Sequence, residues 1–434
     1  MLLLLAGPAS IALCFALMLG RVEPFATYFY QFAWYGLIFT FDQLIRRRQG
    51  HSLIGACGPG FLILLFWSAV AWYFFELVNL RLQNWYYVFV VDGWTLNFLA
   101  TLVAFATVFP GIFWIDHYLT LRGVAAGRRG KPLRFSAAGL RNLQLGGLVC
   151  LVLPLLWPTY FFPLVWLALV LITAPANYRR GIDDLLFQFE RGEYGPFLRL
   201  LLAGLIAGFF WESLNFWARA KWIYTVPFFD ELKLFEMPLA GFLGFPPFAV
   251  ECAVLYRALV WRGLAPAFGA YTVATARPFG PALRGVFFAL AAVFCVATHY
   301  YMDRQTTASV RPSLTTLEGL DPPVRALLET HRVQYLTDLE GWQGRGLWRQ
   351  LEGELTPEQL AELQRTSRLY LHQGIGAEYG NLLWQAGIRS TEELGRLSAE
   401  TVLQRLSAAP HQRLPTLAQV RVWVRRAPRE RNIP

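Results

Sequence analysis

A glutamate, an asparagine and two aromatic residues recur in the same order at two places in the sequence, as Glu-x-x-Asn followed by Trp-x-Tyr. The first copy consists of Glu76, Asn79, Trp85 and Tyr87, and the second of Glu212, Asn215, Trp222 and Tyr224. A carboxyl group can exchange a proton or hold the polar end of a ligand, and indole and phenol rings can stack on an apolar ligand while donating hydrogen bonds. We therefore treat these eight residues as candidate ligand-binding residues.

Three interpretations of the repeated motif are open. The aromatic residues have the position of an interfacial aromatic belt. A carboxylate in the last turn of a helix faces the negative end of the helix dipole, so Glu76 and Glu212 need partners. Such partners could make the pair a structural lock, or the floor of an outward-facing pocket for a ligand, proton or ion. Arg81 and Arg219 flank the two motifs, and either could pair with a glutamate.

Whether the protein is an enzyme is open, and so is any catalytic residue. Glu212, Glu236 and Glu251 are the candidate proton donors, because each lies in or beside an apolar segment, where burial favours the neutral acid. Glu251 lies deepest, in a helix that begins with two prolines. No residue with this chemistry stands at the corresponding position of the first motif's half, where Ile115 is found.

The composition is that of a membrane protein. Of 434 residues 55% are hydrophobic, and long apolar runs separated by basic loops fill residues 1–303. The expected fold is an all-α polytopic helix bundle with a small helical C-terminal domain. About nine spans are predicted, at residues 2–20, 26–45, 59–79, 95–119, 141–157, 160–177, 198–217, 237–259 and 282–301.

The motif is repeated because half of the membrane domain is repeated. Alignment at a nearly constant offset matches Glu76 with Glu212, Asn79 with Asn215 and Pro110 with Pro246. The repeats extend over about 1–136 and 137–262, and 282–301 is an extra span. Four spans return the chain to the side where it began, so the halves are expected to be parallel and related by a pseudo-two-fold axis along the membrane normal.

The distribution of basic residues predicts the orientation. Five lie in the loops on one side, Arg21, Arg81, Arg219, Lys221 and Lys233, and many more lie in the opposite loops. With the richer side in the cytoplasm, the N-terminus is inside and both motifs face outward. We expect a multi-pass protein of the cell inner (plasma) membrane, in contact with membrane lipids. The net charge of +10 then reflects cytoplasmic loops rather than a nucleic-acid surface.

Metal, cofactor and disulfide chemistry have no sequence signal. The five cysteines, at positions 14, 57, 150, 252 and 295, lie in or beside apolar segments without Cys-x-x-Cys spacing. The six histidines are scattered, and nucleotide-binding, HExxH and GxSxG motifs are absent. No metal and no cofactor is expected.

The order Trp222-x-Tyr224, a short loop and then FEMPLAGFLGF (235–245) resembles a segment of membrane-embedded lycopene cyclases. The resemblance covers about 25 residues. The order Glu236-Met237-Pro238 is reversed relative to that family, and no glutamate pair follows the proline. The family resemblance implies protonation of a polyene by a carboxyl group in an apolar site, and hence a lipid or isoprenoid ligand.

Residues 304–434 form a second domain, rich in Arg and Glu and free of lysine, with an internal repeat at about 317–372 and 373–430. QGIGAEYGNLLWQAGIRSTEELGRLSAE, in the second copy, resembles the helix-hairpin-helix family, with Gly374, Ile375 and Gly376 as the hairpin. In that family the hairpin binds a phosphate or a protein partner. Asp321 replaces the second glycine in the first copy.

Nucleic acid is an unlikely partner of this tail. From Asp303 onward 17 arginines oppose 15 acidic residues, with the excess near the C-terminus, and nine spans place the tail outside the cytoplasm. A role as protein-interaction module is favoured. We expect a non-catalytic binding or transport-like membrane component with a polar site near its outer face. A lipid- or isoprenoid-modifying enzyme with a glutamate general acid, and a scaffold whose tail recruits a protein or nucleic acid, are the alternatives.

Overall fold

The computed structural model describes residues 2–228 and 232–427, with the side chains of Leu2 and of residues 341–343 left out. The end of the basic C-terminal run, residues 428–434, lies outside the described residues. The described residues are predominantly helical, and their named β-strands form two short two-stranded sheets.

The described residues before the tail form a series of helices. They are α1 (Leu2–Leu19), α2 (Phe29–Gln49), α3 (Leu53–Cys57), α4 (Gly60–Leu82), α5 (Trp94–Phe105), α6 (Val108–Leu121), α7 (Ala137–Leu156), α8 (Pro158–Phe161), α9 (Val165–Arg179), α10 (Leu185–Glu190), α11 (Gly195–Trp217), α12 (Phe245–Trp261) and α13 (Pro281–Gln305). The four strands are β1 (Trp85–Val88), β2 (Lys221–Tyr224), β3 (Lys233–Leu234) and β4 (Met237–Pro238).

Within the described residues, seven helical stretches are long and apolar enough to cross a membrane. They are Gly60–Leu82, Trp94–Leu121, Ala137–Leu156, Pro158–Arg179, Gly195–Trp217, Leu239–Trp261 and Pro281–Gln305. All nine predicted segments are largely helical, but α1 is shorter than these seven, and α2 carries Asp42 and three arginines. The exposed aliphatic side chains of α7 and α13 have the distribution expected of lipid-facing helices.

Close helix contacts depend on small residues. Gly204 and Gly208, one turn apart on α11, face the start of α12. A Cβ atom at Gly204 would lie 2.5 Å from the carbonyl oxygen of Phe245, and one at Gly208 would overlap the Phe245 ring. Glycine therefore lets the two helices approach each other, as in many packed membrane helices.

The segment between α12 and α13 leaves and returns at the same end of the bundle. The Arg277 N–H donates to the Trp261 carbonyl at 2.8 Å, and the Phe279 N–H donates to the Arg262 carbonyl at 2.9 Å. The segment forms turns against the bundle, where the Trp67 indole donates to the Leu264 carbonyl. Residues 263–280 therefore do not cross the bundle, and α13 leads the chain to the end that carries β1 and β2.

The tail packs on that end of the bundle. Its helices are α14 (Pro322–Thr330), α15 (Gly341–Glu354), α16 (Pro357–Leu371), α17 (Gly376–Gln385), α18 (Thr391–Gly395), α19 (Ala399–Ala408) and α20 (Leu417–Arg426). The linker after α13 lies parallel to β1, with the Tyr87 N–H donating to the Thr306 carbonyl at 2.8 Å and the Ala308 N–H to the Tyr87 carbonyl at 2.7 Å. The tail and both copies of the motif are thus on the same side of the bundle.

Candidate ligand-binding cavity

The two copies of the motif meet in an antiparallel ribbon formed by β1 and β2. Trp85 pairs with Tyr224, and Tyr87 pairs with Trp222. Side chains alternate between the faces of a strand, so these four aromatic residues share the face toward the helix bundle. Tyr86, Val88 and Ile223 occupy the other face and belong to the apolar core of the tail.

Each asparagine fastens its own strand to its own helix. The Asn79 side chain donates to the Trp85 carbonyl at 3.0 Å and accepts from the Asn84 N–H at 2.8 Å. The Asn215 side chain donates to the Trp222 carbonyl and accepts from the Trp222 N–H, both at 3.0 Å. The amide thus satisfies backbone groups where the helix has ended, which explains why asparagine stands one turn after each glutamate.

Glu76 is enclosed by hydrogen-bond donors. Its Oε1 accepts from the Trp72 indole at 2.9 Å, from the Trp85 indole at 3.1 Å and from the Tyr87 hydroxyl at 2.5 Å. The Trp85 indole also lies 3.3 Å from Oε2. The carboxyl group is fully buried, and these contacts make it a structural lock between α4 and β1.

Glu212 occupies the matching place on α11 but has fewer partners. The Tyr224 hydroxyl donates to its Oε1 at 2.7 Å. Its Oε2 is buried and has no hydrogen-bond partner among the described residues. The two glutamates therefore differ: the Glu76 carboxyl group is surrounded by donors, whereas one oxygen of Glu212 has no hydrogen-bond partner among the described residues.

A cavity of about 170 Å³ lies between the ribbon and the helix ends, and Glu212 is among its lining residues. Its aromatic walls are Tyr28, Tyr30, Trp72, Trp85, Tyr87, Phe105, Phe162, Trp166, Trp211, Trp222, Tyr224, Phe245 and Phe248. Gln31, Asn97, Thr101 and Lys221 add polar groups. A mostly aromatic cavity with few polar groups suits an apolar ligand that has one hydrogen-bonding end. Glu76 does not line the cavity, although its three donors do.

The other two candidate proton donors have different surroundings. Glu236 is paired with Lys221 at 2.9 Å and with Arg426 at 3.5 Å. Burial opposes its ionisation, but the charges of Lys221 and Arg426 outweigh that effect and lower its pKa. Glu251 is fully buried and accepts from the Leu169 N–H at 2.9 Å. Neither residue lines the cavity.

The arginines that flank the motifs do not form the ion pairs with Glu76 and Glu212 that their positions in the sequence allowed. Arg81 donates to the Leu156 carbonyl at 3.4 Å, and Arg219 lies 3.6 Å from Glu23. Both glutamates instead use neutral donors that point into the bundle. Arg81 lies in the last turn of α4 and Arg219 follows the end of α11, and their long side chains extend to other segments.

The glycine hairpin of the tail is covered by the ribbon. Gly374 and Gly376 have positive φ values of 73° and 70°. A Cβ atom at Gly374 would lie 2.0 Å from Val88, and one at Gly376 would lie 2.4 Å from Ser309. The Tyr86 hydroxyl donates to the Gln373 carbonyl at 3.0 Å. The hairpin therefore contacts this chain's own β1 and the linker beside it.

Sequence reasoning missed the tryptophans that complete the cavity. Trp72 lies four residues before Glu76 on the same helix face, and Trp211 immediately precedes Glu212. The i, i+4 spacing could have identified Trp72 as a partner of Glu76. No sequence signal connected Trp166 of α9 with the motifs. Among the described residues, no group of three or more His, Cys, Asp or Glu is placed to hold a metal ion.

Comparison with known proteins assigns only part of the tail. Residues 345–430 match the model of a family described as a domain of unknown function (DUF4332). No curated protein and no solved structure matches the chain. The chain is thus a mostly helical protein whose described residues include seven apolar helices of membrane-spanning length, and its residues 345–430 are similar to the DUF4332 family.

Proposed function

We propose that the protein is a multi-pass membrane protein that binds an apolar or amphipathic molecule of the lipid or isoprenoid class in the cavity beneath the ribbon. The observation that carries this proposal is the buried Oε2 of Glu212, which has no hydrogen-bond partner among the described residues, in a side chain that lines a mostly aromatic cavity. A polar atom in such a place is costly unless a ligand supplies a donor. A hydroxyl group at one end of an apolar ligand would do so.

The topology proposed for this function has nine spans, which include α1 and α2, in two parallel halves and one extra span. The alternating helix directions and the matched contacts of Asn79 and Asn215 support it. The proposed location is the cell inner (plasma) membrane. The N-terminus lies in the cytoplasm, and the ribbon, the cavity and the tail are near or beyond the outer face. The excess of basic residues in the opposite loops supports this orientation.

A proton-transferring enzyme is the second candidate, and the same oxygen favours it. Glu212 alone among the three candidate donors lines the aromatic cavity. A carboxylic acid there could protonate a double bond of a polyene, as the resemblance to lycopene cyclases implies. The surrounding indole and phenol rings would stabilise the positive charge that forms on carbon.

Glu212→Gln distinguishes these two functions. Binding is measured by the fluorescence of the cavity tryptophans in the purified full chain, with farnesol and the hydrocarbon farnesene as probes. A binder gives at least a tenfold preference for farnesol that shrinks in the variant, because the amide replaces the acceptor by a donor. Glu352→Gln, at an exposed position of the tail, is the matched control and should change nothing. Failure of the wild-type protein to bind either probe would contradict a lipid-binding cavity.

The enzyme function has its own readout. Lipid extracts are compared from cells that overproduce the wild-type protein, the Glu212→Gln variant and the Glu352→Gln control. An isoprenoid product found with the wild type and the control, but lost with Glu212→Gln, supports the enzyme. Identical extracts from all three, together with hydroxyl-dependent binding in vitro, support the binder.

For the tail we propose a helix-hairpin-helix-like interaction module rather than a nucleic-acid reader. The contact between Gly374 and Val88 supports this role, because it places the hairpin directly against β1 of the same chain. The partner of the hairpin is then the chain's own ribbon, and any further protein partner would use the remaining tail surface. Retardation of duplex DNA by the full chain at physiological salt would contradict this assignment.

A further inference from the structure

A second cavity, of about 690 Å³, lies on the opposite face of the ribbon, between the helix ends and the tail. Val88 and Ile223 of the ribbon form one wall, and Gly374 of the tail hairpin contributes another. This cavity shares Lys221 with the one that Glu212 lines, and no other described lining residue is common to the two.

The lining is strongly cationic. Arg21, Arg219, Lys221 and Arg345 contribute positive charges, and Glu340 is the one acidic lining residue within the described part of the chain. Lys221 is already paired with Glu236 at 2.9 Å. The three arginines come from the α1–α2 loop, the segment after α11 and helix α15. Positive charges that come together from such distant parts of the sequence repel one another, and acidic side chains or a bound anion would offset this repulsion.

The acidic residues nearby do not satisfy the two more buried arginines. The Arg219 side chain is 9% exposed, and its ion pair is with Glu23 at 3.6 Å. The Nη2 of Arg21 is 3.8 Å from Glu340, and its Nη1 has no hydrogen-bond partner among the described residues. Burial of a guanidinium group without close acceptors is unfavourable. An anion with several oxygens would supply them, since the planar donor groups of arginine bind phosphate in a bidentate way.

The lowered pKa of Arg219 reflects its burial and an excess of positive over negative charge around it. Burial lowers its pKa to about 10, and the charges of Arg21 and Arg311 contribute to the decrease. Asp338 and Glu23 oppose it only partly. A bound dianion would oppose this effect and raise the pKa of both guanidinium groups.

The cavity also meets the apolar end of the bundle. Met18 and Leu19 at the end of α1 and Trp217 at the end of α11 line it. Leu19 is 44% exposed and Trp217 is 49% exposed. Each lies at the end of a helix whose outer surface would contact lipid. An acyl or isoprenyl chain could therefore leave the cavity along these residues while its headgroup stays among the arginines.

We propose that this cavity binds a phosphate ester, held by Arg21 and Arg219 from the membrane side and by Arg345 from the tail. The bound phosphate group could belong to the headgroup of a membrane lipid or to a free phosphate compound. Val88 and Ile223 form the floor of the site, and the tail closes it.

The test uses the full chain in detergent, with native mass spectrometry to count adducts. The probes are dioleoyl phosphatidic acid, dioleoylglycerol, which lacks only the phosphate, and inorganic phosphate. The wild-type protein should bind phosphatidic acid at least tenfold more tightly than dioleoylglycerol. Binding of inorganic phosphate without phosphatidic acid would assign the site to a free phosphate compound, and binding of neither would overturn the proposal.

The variants show whether this cavity is responsible. Arg219→Gln should lower phosphatidic acid binding at least tenfold. Arg345→Gln tests the exposed end of the site, should lower binding severalfold and remains informative if Arg219→Gln does not fold. Arg349→Gln, one turn later on α15 and outside the cavity lining, is the matched control. Equal binding by Arg345→Gln and Arg349→Gln, with a folded Arg219→Gln also unchanged, would overturn the proposal.

Discussion

Trp85 and Tyr224 stand opposite each other in the ribbon, yet each serves a different glutamate. The Trp85 indole donates to Glu76, and the Tyr224 hydroxyl donates to Glu212. Strand pairing and carboxyl binding are therefore interdependent. A slip of the strand register by one residue would turn the side chains of one strand to the other face and remove the donor from that strand's glutamate.

Glu76→Gln is expected to destabilise the protein more than Glu212→Gln does. The new amide at position 76 would direct N–H groups at indole and hydroxyl donors, and unsatisfied buried groups cost about 1–3 kcal/mol each. At position 212 the amide oxygen can still accept from Tyr224, while the nitrogen takes the place of the unpartnered Oε2. Thermal unfolding in detergent measures the difference, with Glu352→Gln as control. An equal or larger loss for Glu212→Gln would contradict the assignment of Glu76 as the lock.

Asn79→Ala should destabilise the protein by roughly 2–4 kcal/mol, because it leaves the Asn84 N–H and the Trp85 carbonyl without their side-chain partner. Asn215→Ala should cost less, since Trp222 is only partly buried. The double variant should cost less than the sum of the two, because both side chains hold the same ribbon. Unfolding midpoints of the three variants give this coupling, and strict additivity would mean that the strands are held independently.

Gly374→Ala is expected to displace the tail from the ribbon. The methyl group would overlap Val88, and the positive φ at this position is unfavourable for alanine. Limited proteolysis should cut the linker at residues 306–313 at least tenfold faster than in the wild-type protein. Gly353→Ala, in a helix with open space around the glycine, is the control and should leave the cleavage rate unchanged. Unchanged protection in Gly374→Ala would mean that the hairpin contact does not hold the tail.

Asp184 gives the protein a pH-dependent stability outside the spanning helices. It is 1% exposed, and its Oδ2 accepts from Asn177 at 2.7 Å. Burial raises its pKa to about 7 against the opposing effects of Asn177 and Arg257. The folded state thus retains a proton that the unfolded chain releases near pH 4. The contribution of Asp184 is fully present below about pH 4 and is lost as the pH rises to about 7.

Asp184→Asn should remove this dependence. The variant should be more stable than the wild type at pH 8, and the two should have similar unfolding midpoints at pH 4. Asp183→Asn, at the neighbouring position with a 63% exposed side chain, should not show this pattern. A wild-type midpoint that stays constant between pH 4 and pH 7 would contradict the buried, protonated Asp184.

The helices and the meeting of the two motifs were accessible from the sequence, whereas the cavities were not. Apolar runs about as long as a bilayer is thick determine where helices lie, and the repeated motif indicated two related halves whose motifs lie at the same end. Which glutamate would stay unsaturated depends on the placement of Trp72 and Trp85 around Glu76, and such side-chain geometry leaves no pattern in sequence spacing. Arg21, Arg219 and Lys221, three of the five basic residues in the loops on the side with fewer basic residues, line the second cavity. Their occurrence in those loops was the one sequence feature that pointed to this cavity.

The two-sided ribbon has a consequence for how the protein is made. Tyr86, Val88 and Ile223 complete the apolar core of residues 304–427, although they belong to loops that leave the ribosome much earlier. The C-terminal region would therefore complete its core only after both strands of the ribbon have paired. In the proposed membrane topology, correct insertion of the N-terminal helices would precede a stable, protease-resistant C-terminal region.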